Sequence, residues 1–311
     1  MEQFLGLQTW GTDLILWIQS FSSGLLDTFF LAVTWLGNAE AYIVMLTLIY
    51  WCINRRWGIR LLALMMLSSW TNEFVKSLLK LPRPDPTRVR QLVEEPTYGL
   101  PSNHAQTTGI VLWGYLAVKV RRGLFTVLAV VMALLISVSR LYLGAHFPQD
   151  VLAGWLLGAI VLILWLRYED RLAARWAGLS TGGKLALSVL GPIALALLLP
   201  PDRAGQYPNA FGAVVGGILM GAGFGSLIEA RWVRFRVEGS LGRRALRYLV
   251  GIALVGLVYA GGKFVPDLEP WMLDQSVRMA RYALVGLTAI GLAPWIFVKL
   301  KLAESDLKHE T

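Results

Sequence analysis

The chain has little charge for its length. Charged residues make up 16% of the 311 positions, whereas 56% are hydrophobic. A soluble globular protein carries about a quarter charged residues. This shortage excludes an ordinary soluble enzyme and predicts a polytopic membrane protein with an all-α fold.

Cysteine and early basic residues are also scarce. Cys52 is the single cysteine, which excludes an internal disulfide framework and a cysteine metal cluster. It lies in an apolar run, so we interpret it as a small buried hydrophobic residue. No Lys or Arg precedes Arg55, so we expect no cleavable signal peptide.

Apolar runs of about 20 residues predict helices that cross a membrane. The first two predicted spans are the weakest, because the first contains Asp27 and the second is short. The sequence predicts spans at residues 14–36, 39–54, 58–81, 104–120, 123–143, 149–167, 183–200, 209–228, 243–263 and 280–299.

The net charge of +9 does not indicate a nucleic-acid partner, because the basic residues fall in short clusters between the apolar runs. If the N-terminus is cytoplasmic, every cytoplasmic connection is basic, as the positive-inside rule requires. We therefore predict a multi-pass protein of the cell inner (plasma) membrane with both termini in the cytoplasm. Residues 82–103 and 144–148 then face the periplasm or exterior. This predicted sidedness depends on the number of spans before residue 120, and one span more or fewer would reverse it.

The first of three polar patches follows the third predicted span. Lys76 and Arg83 are seven residues apart, so on a continuous helix they would share one face. Snorkelling to the membrane surface is the alternative; it accounts for Lys80 but poorly for the deeper Lys76. Pro82 and Pro84 end the helix, which directs Arg83 into the outer loop.

The second patch is YGLPSNHAQTTG, residues 98–109. Pro101 precedes a helix start at which Ser102 or Asn103 can act as the N-cap. The free N–H groups and the positive dipole end of such a helix form an anion site. An ordinary N-cap with His104 beside it by chance is the alternative interpretation.

The third patch is SRLYLGAHFPQD, residues 139–150. Pro148 suits the first turn of the next span, which places His146 just before the helix and Asp150 in its first turn. A carboxylate four residues on can accept a hydrogen bond from the imidazole, fix its tautomer and raise the basicity of the other ring nitrogen. For Arg140 alone, snorkelling is again the alternative.

Together the patches predict phosphoryl-transfer chemistry. Two of the three histidines, His104 and His146, lie at outer helix ends beside basic side chains and one carboxylate. Cations and helix-end amides can hold phosphate oxygens while one histidine attacks phosphorus and the other protonates the leaving oxygen. No cluster of carboxylates suggests a Mg²⁺ site, so we predict no metal and no cofactor.

These residues resemble the signature of a known family, the type 2 phosphatidic acid phosphatase superfamily. The family includes lipid phosphate, undecaprenyl pyrophosphate and sphingosine phosphate phosphatases and glucose-6-phosphatase, and the vanadium haloperoxidases share its site. The resemblance spans about residues 20–167 and is carried by three motifs: Lys76-x6-Arg83-Pro84, Pro101-Ser102-Asn103-His104 and Ser139-Arg140-x5-His146-x3-Asp150.

The resemblance implies a six-helix core and a metal-independent mechanism in two steps. His146 would be the nucleophile that forms a phosphohistidine, and Asp150 would orient it. His104 would be the general acid and then the general base for water. Asn103 stands where the family usually has glycine; because Asn tolerates positive φ, its backbone N–H can still face the phosphate. The implied phosphate-binding residues are Lys76, Arg83, Ser102, Asn103 and Arg140.

The function expected from this resemblance is an integral membrane phosphatase acting on phosphate monoesters or diphosphates of lipids. Candidate substrates are undecaprenyl pyrophosphate, phosphatidic acid, phosphatidylglycerol phosphate and sphingoid-base phosphates. A sugar-phosphate phosphatase or a lipid phosphotransferase would use the same site. An anion transporter is more remote, because the polar residues cluster at one face rather than near the midplane.

The predicted domains are a catalytic core at 1–170, additional transmembrane helices at 171–302 and a polar tail at 303–311. No second copy of the motifs occurs after the core, so the chain is not a duplicated enzyme. Small residues at four-residue spacing in 212–225 favour close helix packing within the chain and leave a homo-oligomer contact open. The basic stretch 229–247 is interpreted as an inside loop, with anionic lipid headgroups as an alternative ligand.

Overall fold

The computed structural model describes residues 2–309, and the side chains of residues 6–307. The described chain is helical and contains no β-strand; Phe235 and Ser305 form an isolated β-bridge. The all-α prediction is therefore confirmed. In chain order the α-helices are α1 Glu2–Gln19, α2 Gly24–Trp35, α3 Ala39–Leu48, α4 Arg55–Leu79, α5 Trp113–Val120, α6 Gly123–Tyr142, α7 Pro148–Gly178, α8 Thr181–Leu198, α9 Ala210–Ile228, α10 Leu241–Gly262, α11 Trp271–Leu287 and α12 Ala293–Lys299.

Among residues 2–309, four π-helical segments continue or join these helices. A π-helix widens one turn and often marks a functional region. The longest precedes α5 and begins at the histidine of the second motif. The segments are Ile49–Ile53, His104–Leu112, Glu229–Val233 and Thr288–Leu292, and a short 3₁₀ turn, Asp306–His309, follows α12.

The helix boundaries follow from local chemistry. Ser23 caps α2 by accepting a hydrogen bond from the backbone N–H of Leu26 at 3.3 Å. After the short loop that follows α6, Pro148 occupies the first position of α7, as the sequence predicts. Lys80 adopts a left-handed conformation (φ 52°) directly after α4, which stops that helix before the two prolines.

In the described part of the chain, six helical stretches are long and apolar enough to cross a membrane, which fits a multi-pass membrane protein. They match the last six predicted spans. The first predicted span, 14–36, is wrong as one helix, because the chain breaks between α1 and α2. Helix α2 and the α3 segment, with a 57° bend between them, would add a seventh crossing if they form one. The six stretches are Gly123–Tyr142, Pro148–Gly178, Thr181–Leu198, Ala210–Val233, Leu241–Gly262 and Trp271–Lys299.

The chain divides into two compact units, Met1–Tyr42 with Leu67–Tyr168, and Ile43–Met66 with Glu169–Thr311. The predicted boundary at residue 170 assigns residues 43–66 to the catalytic core, whereas the structure places them in the second unit. Trp51 explains the difference, because its indole N–H donates to Ala289 O at 2.9 Å and its ring packs edge-on against Phe297.

Glycines let α9 pack closely within the second unit. A Cβ on Gly221 would overlap the carbonyl group of Ala283 in α11, and a Cβ on Gly217 would lie 2.8 Å from Tyr282 Cβ. On the opposite side, a Cβ on Gly212 would lie 2.9 Å from Ala196 O in α8. The close helix packing predicted for this glycine stripe is confirmed, and the helices that it contacts are α8 and α11.

Arg247 is fully buried in the second unit and caps backbone carbonyls there. Its guanidinium donates to the carbonyl oxygens of Trp51, Arg236, Val237 and Glu238 at 2.9–3.2 Å. The interpretation of 229–247 as a loop is wrong for this residue, because it lies inside α10. Cys52 is a buried free thiol close by, as expected, and contacts Arg244 O at 3.5 Å.

The start of the predicted polar tail, 303–311, is packed against other residues. Ser305 is buried and its hydroxyl donates to Val233 O at 2.6 Å, while Asp306 N donates to Arg234 O at 3.1 Å. These bonds pack the start of the tail onto the second unit. Residues 310–311 lie outside the described residues.

Candidate active site

His146 and Asp150 make the contact expected from their spacing. His146 lies in the short loop between α6 and α7, and its Nδ1 is 3.2 Å from Oδ2 of Asp150 in the first turn of α7. The same carboxylate oxygen accepts the backbone N–H of Phe147 at 3.0 Å. Both side chains are at most 3% exposed, so the pair is shielded from bulk water.

The opposite nitrogen of the His146 ring faces Arg83. Nη1 of Arg83 lies 3.0 Å from Nε2 of His146. Because a guanidinium only donates, Nε2 must be the acceptor, and Nδ1 then carries the proton that Asp150 accepts. Burial first, and then the charge of Arg83, holds the pKa of His146 well below its usual 6.5. The neutral ring thus presents a lone pair on Nε2.

Arg83 and Lys76 converge on Thr97, a residue that the sequence motifs did not single out. Arg83 donates from Nε to Thr97 O at 2.7 Å and from Nη2 to Thr97 Oγ1 at 3.0 Å. Lys76 Nζ donates to the same hydroxyl at 3.2 Å. The prediction that the two cations share one helical face is wrong, because α4 ends at Leu79. The loop, rather than helical periodicity, brings them together.

Arg140 is 1% exposed at the end of α6, which excludes the snorkelling interpretation. Its Nη1 donates to Thr34 Oγ1 at 2.6 Å, and its Nη2 pairs with Oε1 of Glu95. The other oxygen of Glu95 lies 3.7 Å from Nη2 of Arg83. Glu95 therefore bridges the two arginines, a contact that the sequence reasoning missed and that charge complementarity alone could have suggested.

Burial alone would raise the pKa of Glu95, but the charge of Arg140, followed by His104, Arg83 and Lys76, outweighs burial and lowers it to about 2. The carboxylate is thus ionised at any ordinary pH. The same cations would act on any other anion placed between them.

His104 begins the π-helical segment and lies against Gly37, in the turn between α2 and α3. A Cβ on Gly37 would stand 2.6 Å from His104 Nε2, so a side chain there would collide with the ring. Nε2 of His104 is buried and has no hydrogen-bond partner in the described part of the chain. A proton donor or acceptor without a partner is available to a ligand. Sequence reasoning found His104 but not the glycine that makes space for it.

Ser102 and Asn103 connect the second motif to the third. The backbone N–H of Ser102 donates to Asp150 O at 2.9 Å, and its hydroxyl accepts Ala105 N only at a long 3.5 Å. Asn103 has φ −67° and ψ −37°, a helical conformation, so it does not use the positive φ that asparagine tolerates. Its Oδ1 accepts the Thr107 hydroxyl at 2.8 Å, along the helix.

A buried amide pair supports this helix start from α4. Asn72 Nδ2 donates to Gln106 Oε1 at 2.7 Å and to Pro101 O at 3.2 Å. Gln106 Nε2 in turn donates to Ser68 O at 2.8 Å. These bonds fix the second motif relative to the helix that carries Lys76, and no motif indicated them.

Side chains from α1 and α2 hold the irregular segment 80–103, which carries Arg83, Glu95, Thr97 and Ser102. Gln19 donates to Arg90 O at 2.7 Å and accepts Arg90 N at 3.1 Å. The Arg90 guanidinium pairs with both carboxylate oxygens of Asp27, at 2.7 and 3.0 Å. The segment is thus tied to the helices at its midpoint.

Within the described residues, no three His, Cys, Asp or Glu side chains come together as metal ligands. The groups that converge are instead three cations, two imidazoles and two carboxylates. Such a set is suited to binding a phosphate oxyanion and transferring its phosphoryl group to nitrogen.

Known proteins resemble the chain in sequence. Lipid phosphate phosphatase delta of Arabidopsis thaliana is 30% identical over 231 residues, covering 68% of this chain and 55% of the relative. A probable sphingosine-1-phosphate phosphatase of Dictyostelium discoideum is 30% identical over 236 residues, covering 70% and 56%. The chain spans about half the length of these curated relatives.

A crystal structure of a transmembrane PAP2-type phosphatidylglycerolphosphate phosphatase from Bacillus subtilis aligns with 53% of this chain and 87% of its own, at 22% identity and a TM-score of 0.46. Two family models match the sequence. The PAP2 superfamily model covers residues 57–174, which include all three motifs, and the model of a transmembrane extension of PAP2 superfamily phosphatases covers residues 213–305. The chain belongs to the PAP2 superfamily.

Proposed function

We propose that this protein is a membrane phosphatase that hydrolyses phosphate monoesters or diphosphates of lipids through a phosphohistidine on His146. The observation that carries the proposal is that both nitrogens of the His146 ring have a defined polar partner. Asp150 accepts the proton on Nδ1, and Nε2 presents its lone pair to the cations at 3.0 Å from Arg83. This is the arrangement of an oriented neutral nucleophile beside an anion site.

In the first step, the phosphate oxygens accept hydrogen bonds from Arg83 and Arg140. This draws the Arg83 donor away from His146, so Nε2 is free to attack phosphorus. The bond to the leaving oxygen breaks as His104, protonated at this stage, gives that oxygen its proton. The lipid alcohol, or a lipid phosphate from a diphosphate, departs and leaves phosphohistidine.

In the second step, neutral His104 takes a proton from water while the water oxygen attacks phosphorus. The P–N bond breaks, its electron pair returns to Nε2 of His146, and inorganic phosphate is released. His104 is again protonated for the next turnover. Asp150 stabilises the positive ring of His146 while the phosphoryl group is attached.

The lipid nature of the substrate is supported by the relatives, whose names refer to lipid phosphate and sphingosine-1-phosphate. It is also supported by the position of the site at the ends of apolar helices. We propose that the membrane is the plasma membrane, with cytoplasmic termini and the site on its outer face, as the basic clusters predict.

Phosphate release by the purified full chain in detergent, with excess EDTA, tests the proposal. The panel comprises undecaprenyl pyrophosphate, phosphatidic acid, phosphatidylglycerol phosphate, sphingosine phosphate and glucose 6-phosphate. We expect release from at least one lipid, its loss in His146→Ala, and its retention in the control His309→Ala. No release by well-folded wild type, or full activity of His146→Ala, would overturn the proposal.

His104→Ala separates the acid role from a binding role. An acid matters less when the leaving group is already stable, so the loss of rate should shrink from a lipid phosphate to p-nitrophenyl phosphate. An equal loss for both substrates would remove His104 from the acid role.

A further inference from the structure

Glu95 lies between two of the arginines that we assign to the phosphate site. Its two carboxylate oxygens reach different arginines: Oε1 pairs with Arg140 Nη2, and Oε2 lies 3.7 Å from Arg83 Nη2. Two oxygens of one phosphate would bridge the two guanidinium groups in the same manner. The carboxylate of Glu95 therefore contacts both of the cations that a phosphate would need.

The neighbouring carboxylate shows that this placement is specific. Glu94 is exposed, whereas Glu95 is partly buried with its side chain 23% exposed. Both residues lie in the irregular segment between α4 and the second motif, outside the helices. Only the second carboxylate of the pair is turned inward to the arginines.

We propose that Glu95 is an internal ligand of the phosphate site that substrate must displace and that returns to displace the product. The inference rests on the proposed function, since it names a further residue of the same site. Both binding and release then become exchanges between a carboxylate and a phosphate on Arg83 and Arg140. Neither arginine passes through a state without an anion, which would be costly for buried cations.

Competition of this kind has a defined signature. An internal competitor weakens every ligand of the site by the same factor, because each ligand must displace the same group. Removing the charge of Glu95 should therefore tighten the binding of inorganic phosphate, orthovanadate and substrate by similar factors. If the carboxylate only stabilised the fold, its removal would have the opposite effect and weaken the binding of all three ligands.

The test compares Glu95→Gln with the matched control Glu94→Gln in the purified full chain. Calorimetric titration with inorganic phosphate is the primary measurement, because it does not depend on turnover. We expect Glu95→Gln to bind phosphate about tenfold more tightly than wild type, and Glu94→Gln to bind it as wild type does. The KM for the best lipid should fall by a similar factor, and product inhibition should strengthen.

Unchanged or weaker phosphate binding in Glu95→Gln, or equal tightening in Glu94→Gln, would overturn the inference. The proposed function can fail separately: tighter phosphate binding by Glu95→Gln without lipid hydrolysis by wild type would refute the enzyme and keep the internal ligand. Lipid hydrolysis without tightening would refute only the role of Glu95.

A second measurement does not require Glu95→Gln to fold. A nitroxide attached to the Glu94→Cys variant, in a Cys52→Ala background, reports the movement of the segment beside the intact Glu95. Saturating phosphate should change the mobility of the label as Glu95 leaves the arginines. An unchanged spectrum at saturation would overturn the inference.

Discussion

Nη1 of Arg83 lies 3.0 Å from Nε2 of His146, on the side of the ring opposite Asp150. The guanidinium can only donate, so this contact selects the neutral form of His146 with its lone pair on Nε2. A cation that we propose holds the phosphate would thus also keep the proposed nucleophile unprotonated.

The pH dependence of turnover tests this relationship. Because the pKa of His146 lies well below 6.5, the ring remains neutral as pH falls through 6.5, and kcat/KM should decline only at lower pH. Burial is the main cause, but the charge of Arg83 also contributes, so Arg83→Gln should raise the pKa and move the acid limb to higher pH. The control is Arg88→Gln, an exposed arginine of the same segment. A limb that stays in place, or moves to lower pH, would contradict this electrostatic role.

Asp150→Asn should lower kcat strongly while the protein still folds. The amide can turn its NH₂ group toward Nδ1, which would move the ring proton to Nε2 and block attack on phosphorus. Loss of an orienting carboxylate typically costs on the order of a thousandfold or more in kcat. The exposed carboxylate of Asp267 provides the control Asp267→Asn. Wild-type kinetics in Asp150→Asn would remove that residue from the mechanism.

Gly37→Ala should impair catalysis without touching a charged group. The added methyl group would stand 2.6 Å from His104 Nε2, so the ring must shift by an ångström or so. Misplacement of that size can cost on the order of a hundredfold in rate. Gly24→Ala is the matched control, because a Cβ at Gly24 meets nothing within 4 Å. The measurement is kcat on the best lipid; equal rates in the two variants would show that His104 tolerates displacement.

Gly221→Ala should destabilise the second unit. The new methyl group would overlap the carbonyl group of Ala283, and backbone cannot turn aside as a side chain can. Overpacking of this kind costs about 1–3 kcal/mol. We expect a lower melting temperature in detergent, whereas Gly256→Ala should melt like wild type because a Cβ there meets nothing within 4 Å. Equal melting temperatures would show that α9 and α11 can separate without cost.

The charged residues of the site other than Glu95 could be predicted because charge is rare in this sequence. Arg140, His146 and Asp150 stand out between two apolar segments, and their spacing alone indicates the contact between imidazole and carboxylate. The glycine stripe of α9 could be interpreted in the same way. In each case a local pattern, four residues or less in spacing, carries the information.

The missed residues depend on contacts between distant parts of the chain. Thr97 and Glu95 lie in a segment without periodicity, so nothing in the sequence shows which side chains turn inward. Gly37 matters only because the ring of His104 lies against it, and residues 43–66 join the second unit through the buried ring of Trp51. No spacing rule reaches across such separations.

The irregular segment 80–103 supplies four groups of the site, yet its midpoint is held by Gln19 and Asp27 through Arg90. The conformation of the segment therefore depends on α1 and α2 as well as on its own residues. A chimera that exchanged this segment between relatives, with the aim of transplanting substrate preference, would have to carry positions 19 and 27 along with it. The segment that connects the first two motifs therefore cannot be transferred to a relative without the helix residues that hold it.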